Sequence, residues 1–352
     1  MNKKSQKLGN EAIGFQADRD VIIHNGIDIT ELEKVIQAQS SSVVLMAAFA
    51  AREAAQERVD ELMPKIIERI TSQHDSSPEA LKDPDFHYAL LKAEQAYARS
   101  GEENVGDILV DLIGRRATQG KRTRLALTLN DSIERVSALT SNEFAILSLV
   151  YILRYTRSST ITTYEKFIEW AESHVLPYIN DLPDHNNSIQ YLDAQSCGRI
   201  SLNSANLHRV IVQKYPGVFS KGFDSKIILA TIPEEHKSIL YDTELFIPCF
   251  HDTEKLQVAA HEKNVLLEFS RKKQIPDTVI DSIWAHFEST FMSQEEMIKL
   301  IGERLPGFIT LDELWKKCQL SNFELNTVGI AIGHANARRV GSIDADLSIW
   351  IK

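Results

Sequence analysis

The chain has 352 residues and a mass of 39.8 kDa, which is long enough for one large domain or two domains of ordinary size. Hydrophobic residues make up 43% and charged residues 25% of the sequence, and these proportions are typical of soluble globular proteins. The formal net charge of −10 argues against a protein that mainly neutralises nucleic-acid phosphates, because such proteins usually carry a basic excess.

Cysteine usage and hydrophobic runs predict the cellular location. Cys197, Cys249 and Cys318 are odd in number and far apart, which fits neither a disulfide framework nor a CxxC metal pair and indicates a reducing compartment. The basic N-terminus leads into no apolar signal segment. The longest apolar run, residues 43–51, falls short of the roughly 20 residues that cross a bilayer, so we interpret it as a buried helix segment. We expect a cytoplasmic protein without membrane contact.

The first predicted element is a β-strand at residues 15–24, within the stretch GFQADRDVIIHN at 14–25. Its apolar residues Phe15, Val21 and Ile23 share one face at a period of two, and polar residues share the other. No hairpin partner follows, and a lone strand cannot satisfy its own backbone groups. We predict a homo-oligomer in which copies of this strand pair and bury Phe15, Val21 and Ile23. Pairing with a strand at residues 347–351 of the same chain is the alternative.

Helices are predicted through the middle of the chain. Thr30 with Glu33 forms a capping box that starts a helix reaching about residue 72, and Pro64 is expected to kink that helix or to begin a new one. Further capping boxes start at Thr140, Ser293 and Thr310. Residues 144–155 are almost entirely apolar and are predicted to form the central core helix.

The final stretch, residues 325–352, is rich in β-branched residues and glycine, which predicts two short elements and a terminal strand in DLSIWI. The predicted fold class is therefore mainly α, a multi-helix body with a short N-terminal β-strand arm and a short C-terminal β element. Three regions are predicted: an N-terminal tail and arm at 1–29, a helical domain at 30–180, and a second mainly helical region at 188–352 that ends in a short strand.

Charged residues supply the candidate binding sites. Asp107, Asp111 and Arg115 recur every four residues, which favours ion pairs on one helix face, although paired carboxylates also suit a divalent cation. The densest basic stretch, residues 115–124, has no interleaved aromatic residues, so it supports nucleic-acid binding only weakly. A phosphate-binding patch and an anion contact beside His334 remain open, with a polar turn as the alternative explanation for the latter. The candidate anion contacts are Arg115, Arg116, Arg122, Arg338 and Arg339.

No motif identifies a reaction, a metal or a cofactor. His251 and His261 each precede an acidic residue, but the HExxH spacing of zinc proteases is absent from the sequence. Cys249 lies close to His251 in the chain, yet sequence adjacency alone does not create catalytic geometry. Residues 329–339 lack both glycine patterns that bind phosphates of nucleotides. We expect no cofactor and no metal, and the catalytic residues, if any exist, are unknown.

Three groups of segments stand out in the sequence: FQADRDVII at 15–23, VGDILVDLIGRR at 105–116 with LSLVYILRYT at 147–156, and TVGIAIGHANARR at 327–339 with DLSIWI at 346–351. Together they resemble a family of uncharacterised bacterial proteins of about this length. The resemblance implies no activity. Its opening segment is also similar to short QAGRDVII strands that precede helical regions in bacterial proteins, some of them near mobile elements and anti-phage systems, and Asp18 stands where glycine is usual.

Two functional hypotheses follow. The first is a non-enzymatic, oligomeric protein with an interaction or regulatory role. This hypothesis includes binding of a protein partner and a link to anti-phage defence. The second is a metal-dependent hydrolase or nuclease whose Asp, Glu and His residues converge only in three dimensions. A cleft that gathers His251, His261 and several carboxylates would favour the second.

Overall fold

The computed structural model describes residues 29–72, 78–341, 343 and 345–352. It confirms the mainly α-helical class. Contacts divide the chain into two compact units, residues 1–57 and 58–352, and the first is described from residue 29 onward. The predicted N-terminal strand, with Phe15, Val21 and Ile23, lies outside the described residues.

The α-helices follow one another in short connections along most of the chain. The first nine are α1 (Ile29–Ser72), α2 (Pro78–Leu81), α3 (Pro84–Ser100), α4 (Glu103–Ala117), α5 (Arg124–Val136), α6 (Ser141–Val150), α7 (Tyr164–His174), α8 (Asn187–Ala194) and α9 (Leu207–Lys214). They continue with α10 (Ser225–Thr231), α11 (Lys263–Lys272), α12 (Asp277–Ser289), α13 (Gln294–Gly302), α14 (Gly307–Lys317) and α15 (Thr327–Gly341). A π-helical segment, Tyr151–Tyr155, continues α6.

The described strands are short and form two antiparallel pairs. They are β1 (Gly198–Ile200), β2 (Phe246–Pro248), β3 (Leu256–Val258) and β4 (Phe323–Leu325). β1 pairs with β4, with Gly198 opposite Leu325, and β2 pairs with β3, with Phe246 opposite Val258. Short 3₁₀ segments lie at Leu176–Asp181, Pro216–Phe219, Glu234–Tyr241, Leu320–Asn322 and Leu347–Ile349.

The main hydrophobic core surrounds α6 and the π-helical segment, as predicted for residues 144–155. Leu147 and Tyr151 are fully buried there. α15 crosses α6 at Gly333, where an added Cβ would lie 2.6 Å from the carbonyl oxygen of Leu147. At Gly329 an added Cβ would lie 1.8 Å from the carbonyl oxygen of Cys197. Glycine is required at both positions because any side chain would collide with a neighbouring backbone.

The C-terminal stretch corrects two sequence predictions. Instead of two short elements, residues 327–341 form the single helix α15, which is buried around most of its circumference from Gly329 to Ala337. Burial between α4, α5 and α6 outweighs the low helix propensity of its β-branched and glycine residues. Instead of the terminal strand, residues 347–349 form a 3₁₀ turn that buries Leu347 and Ile351 while Ile349 is exposed.

Helix starts agree with the capping signals in part. The predicted capping boxes of Thr140 with Glu143 and Ser293 with Glu296 both form. Thr310, in contrast, lies inside α14, because Pro306 begins that helix one turn earlier. No new helix begins at Pro64, since α1 continues to Ser72 with Leu62 and Ile66 buried in the main core.

Residues 223–287 form a second hydrophobic cluster with its own buried centre, and we call this region the insert. Ile280 and Phe287 are fully buried within it. A bridge between Ser220 and Phe291 brings together the two chain segments that flank the insert. His251, within the insert, donates a hydrogen bond from Nε2 to the carbonyl oxygen of Val218 at 2.6 Å. This junction brings β2 and β3 close to the turn that follows α9.

Candidate functional site

The apolar run of α1 is exposed. The exposed fractions of Val43, Val44, Leu45, Met46 and Phe49 lie between 58% and 71%, and Ile36 is also exposed. The run is helical, as predicted, because its alanine, leucine and methionine residues are good helix formers. The prediction that it is buried is wrong for a single copy of the chain. A contiguous exposed apolar surface of this kind is typical of an interaction site.

A heptad spacing orders part of this surface. Ile36, Val43 and Ala50 are seven residues apart and occupy the a positions, and Gln39 and Met46 occupy the d positions between them. All five are exposed on α1. Residues at a and d positions lie along one stripe of a helix and are those that meet a partner helix in a coiled coil. This spacing is visible in the sequence, whereas the hydrophobicity of residues 43–51 alone predicts only an apolar helix.

An ion-pair cluster forms around Asp111 of α4. Its carboxylate accepts hydrogen bonds at 2.9 Å from Arg69 of α1, from Arg115 one turn later in α4, and from Arg338 of α15. The predicted pair of Asp111 and Arg115 therefore forms, and two distant arginines join it. Burial acts to raise the pKa of Asp111, but the Arg115 and Arg338 guanidinium groups outweigh it and hold that pKa below its usual range. A carboxylate so paired serves as an ionic link between three helices.

His334 and Tyr151 lie beside this cluster in the interior. His334 donates a hydrogen bond from Nε2 to the carbonyl oxygen of Ala345 at 2.8 Å, and its ring meets the Tyr151 ring edge-on at 5.6 Å. Burial, followed by the charge of Arg115, lowers the pKa of His334 to about 4, so the imidazole is neutral at physiological pH. Within the described ranges, neither His334 Nδ1 nor the Tyr151 hydroxyl has a hydrogen-bond partner. Both residues fill the core between α15 and the C-terminal segment.

The other three arginines predicted to contact an anion are dispersed. Arg116 is fully buried and donates to Asp83 at 2.8 Å, to Asn130 at 3.0 Å and to the carbonyl oxygen of Gln119 at 3.0 Å. Arg339 donates to the Asn336 side chain, and Arg122 is exposed before α5. Of the five predicted residues, the fold brings only Arg115 and Arg338 together. Anion binding by them stays a prediction.

The histidines of the metal hypothesis do not gather. His251 is held by Val218, and His261 lies half exposed beside Glu262. Cys249 is buried and its thiol donates to the carbonyl oxygen of Ser220. No group of three or more His, Cys, Asp or Glu side chains suited to a metal occurs in the described part of the chain. The hydrolase or nuclease hypothesis therefore gains no ligand group from these residues.

Comparison with known proteins gives the family. A model of a family of uncharacterised proteins matches residues 26–351. The chain belongs to this family. The match includes the C-terminal segments on which the sequence resemblance rested and begins after the FQADRDVII segment. Neither the curated proteins nor the solved structures contain a significant match.

Helix α1 contains the most apolar run of the sequence, residues 43–51. None of the helices in the described residues combines the length and the apolar character that a membrane span requires.

Proposed function

We propose that this protein is a homo-oligomeric interaction protein that assembles through the exposed apolar run of α1. The observation that carries the proposal is the exposure of Val43, Met46 and Phe49, with Ile36 exposed two turns before them. Large apolar side chains on a helix normally face a core, because removing them from water stabilises the folded state. A second copy of the chain supplies such a partner at the same surface.

The residue types at the heptad positions favour a parallel two-stranded contact. Ile36 and Val43 are β-branched residues at a positions, which favours two strands in parallel coiled coils, and Met46 adds an apolar side chain at a d position. In that register the two Gln39 side chains face each other and can hydrogen-bond across the seam, whereas a shifted register buries each against apolar groups. Gln39 therefore selects the alignment of the two chains.

The same run leaves apolar surface for other proteins. Val44 and Leu45 occupy b and c positions, which face away from a two-stranded seam, and both are more than half exposed. An interaction or regulatory role uses this remaining surface for a protein partner. The resemblance of the opening segment to strands found near anti-phage systems makes bacterial defence part of the proposal.

Replacing Met46 with glutamate is expected to lower the number of chains per particle, because two carboxylates would meet in the seam. Mass measurement by light scattering coupled to size exclusion at micromolar concentration provides the test. Ala48→Glu is the matched control, since it introduces the same charge two residues away at an f position opposite the seam. Circular dichroism checks that both variants stay helical.

A wild-type chain that is monomeric under these conditions would refute assembly through α1. An unchanged mass for Met46→Glu would refute it as well. Equal dissociation by Met46→Glu and Ala48→Glu would refute the two-stranded seam, because a charge on the outer face should leave that contact intact.

A further inference from the structure

A cavity of about 570 Å³ lies where the insert meets the main core. One wall is the turn after α9, with Tyr215, Gly217 and Val218, and the opposite wall comes from β2 and β3, with Ile247 and Gln257. Residues 157–159 and 161–163, in the connection between the π-helical segment and α7, close a third side. The volume is within the range of small-molecule sites in proteins.

Gln257 presents a buried hydrogen-bond donor in this cavity. The residue is 1% exposed, and its Oε1 accepts a hydrogen bond from the backbone N–H of Phe250 at 3.4 Å. That contact fixes which end of the amide faces the backbone. Among the described residues, no group accepts a hydrogen bond from Nε2. Buried side-chain donors are rarely left in this condition, and each one calls for an explanation.

Gly217 gives the cavity access to this amide. A Cβ added at residue 217 would lie 3.1 Å from Gln257 Nε2 and 3.9 Å from the Phe250 ring. A side chain at residue 217 would therefore crowd the nitrogen end of the amide. With glycine at this position, an acceptor atom of a ligand in the cavity can approach Nε2 to hydrogen-bond distance.

The surroundings of the cavity carry an excess of positive charge. Arg157 lines it and pairs with Glu262 at 3.0 Å, while Lys214 and Arg154 nearby donate to the backbone carbonyl oxygens of Thr156 and Phe323. Burial, followed by repulsion from Arg157 and Arg154, lowers the pKa of Lys214 to about 8. Glu262 neutralises one of these three cationic groups, and the net positive charge that remains nearby favours an anionic ligand.

The cavity walls are mainly apolar. Ile161, Val218, Ile247 and Val258 contribute aliphatic surface, and Phe250 contributes an aromatic ring. A ligand that matches both the walls and the charge has an apolar body and one anionic oxygen group. Phosphate or sulfate alone matches the charge but leaves the apolar walls without a partner.

We propose that this cavity binds a small organic carboxylate, with a carboxylate oxygen accepting a hydrogen bond from Gln257 Nε2 and the apolar body lying between Val218 and Ile247. Arg157 supplies attraction at the rim. The larger cavity on the far side of residues 157–160, about 850 Å³, offers a weaker case, because its Trp350 N–H already donates to Tyr155 and its Lys166 pairs with Glu169.

Isothermal titration with sodium benzoate on the full chain tests the proposal, and benzamide serves as the uncharged analogue of the same shape. Wild-type protein is expected to bind one benzoate per chain and to bind benzamide more weakly. Gln257→Glu should weaken benzoate binding about tenfold or more, because a donor to a charged group is replaced by a carboxylate. Gly217→Ala should weaken it by occupying the space beside the amide. Gln190→Glu, an exposed change on α8, should leave it unaltered.

Absence of saturable benzoate binding to the wild-type protein would overturn the proposal. Equal affinities for benzoate and benzamide would overturn the assignment of a carboxylate. Wild-type affinity in both Gln257→Glu and Gly217→Ala would place binding elsewhere. Circular dichroism identifies a misfolded variant, and Gly217→Ala decides the question if Gln257→Glu does not fold. The change in particle mass on Met46→Glu is independent of all these outcomes.

Discussion

Leu147→Ala is expected to lower the free energy of unfolding by about 2 to 5 kcal/mol. Leu147 is fully buried at the centre of α6, and its backbone carbonyl lies against Gly333 of α15. Two helices that approach so closely cannot move together to fill the space left by the lost side chain. The loss therefore combines reduced apolar burial with a persistent cavity.

Chemical denaturation followed by circular dichroism measures this effect. Leu127→Ala on α5 is the matched control. It makes the same chemical change at a position near the surface, because Leu127 is 38% exposed. We expect the control to change the free energy of unfolding by no more than about 1 kcal/mol. Equal losses for the two variants would contradict a central position for α6.

Asp111→Asn is expected to lower the free energy of unfolding by about 3 kcal/mol at neutral pH. The substitution leaves Arg69, Arg115 and Arg338 close together without the carboxylate that accepts a hydrogen bond from each of them. Asp107→Asn, one turn earlier on α4, is the control and removes the same charge outside this cluster.

The effect of Asp111→Asn should depend on pH with a defined sign. The pKa of Asp111 is lower in the folded chain than in the unfolded chain, so its carboxylate stabilises the fold above the unfolded pKa of about 4. That contribution is lost as pH falls through the folded value, where the protonated acid resembles the amide. Urea midpoints measured from pH 7 downward should therefore converge for wild type and Asp111→Asn below about pH 4. A difference that grows on acidification would contradict the ion-pair role of Asp111.

The sequence by itself determined features that depend on neighbouring residues. The capping boxes at Thr140 and Ser293 begin helices because a side chain and a backbone N–H three residues away satisfy each other. Asp111 and Arg115 pair because four residues separate them on one helix. The near absence of polar side chains in residues 144–155 required a buried helix wherever it lay.

Only the tertiary structure decided which distant groups meet. Arg69 and Arg338 join Asp111 because α1, α4 and α15 pack together, and no local spacing relates these residues. Residues 327–341 form one helix because burial on nearly every side outweighs a local preference for shorter elements. The Gln257 amide faces Gly217 only because the insert docks on the turn after α9. Local hydrogen bonds and periodicity act over a few residues, whereas exposure and long-range pairing depend on the packing of the whole body.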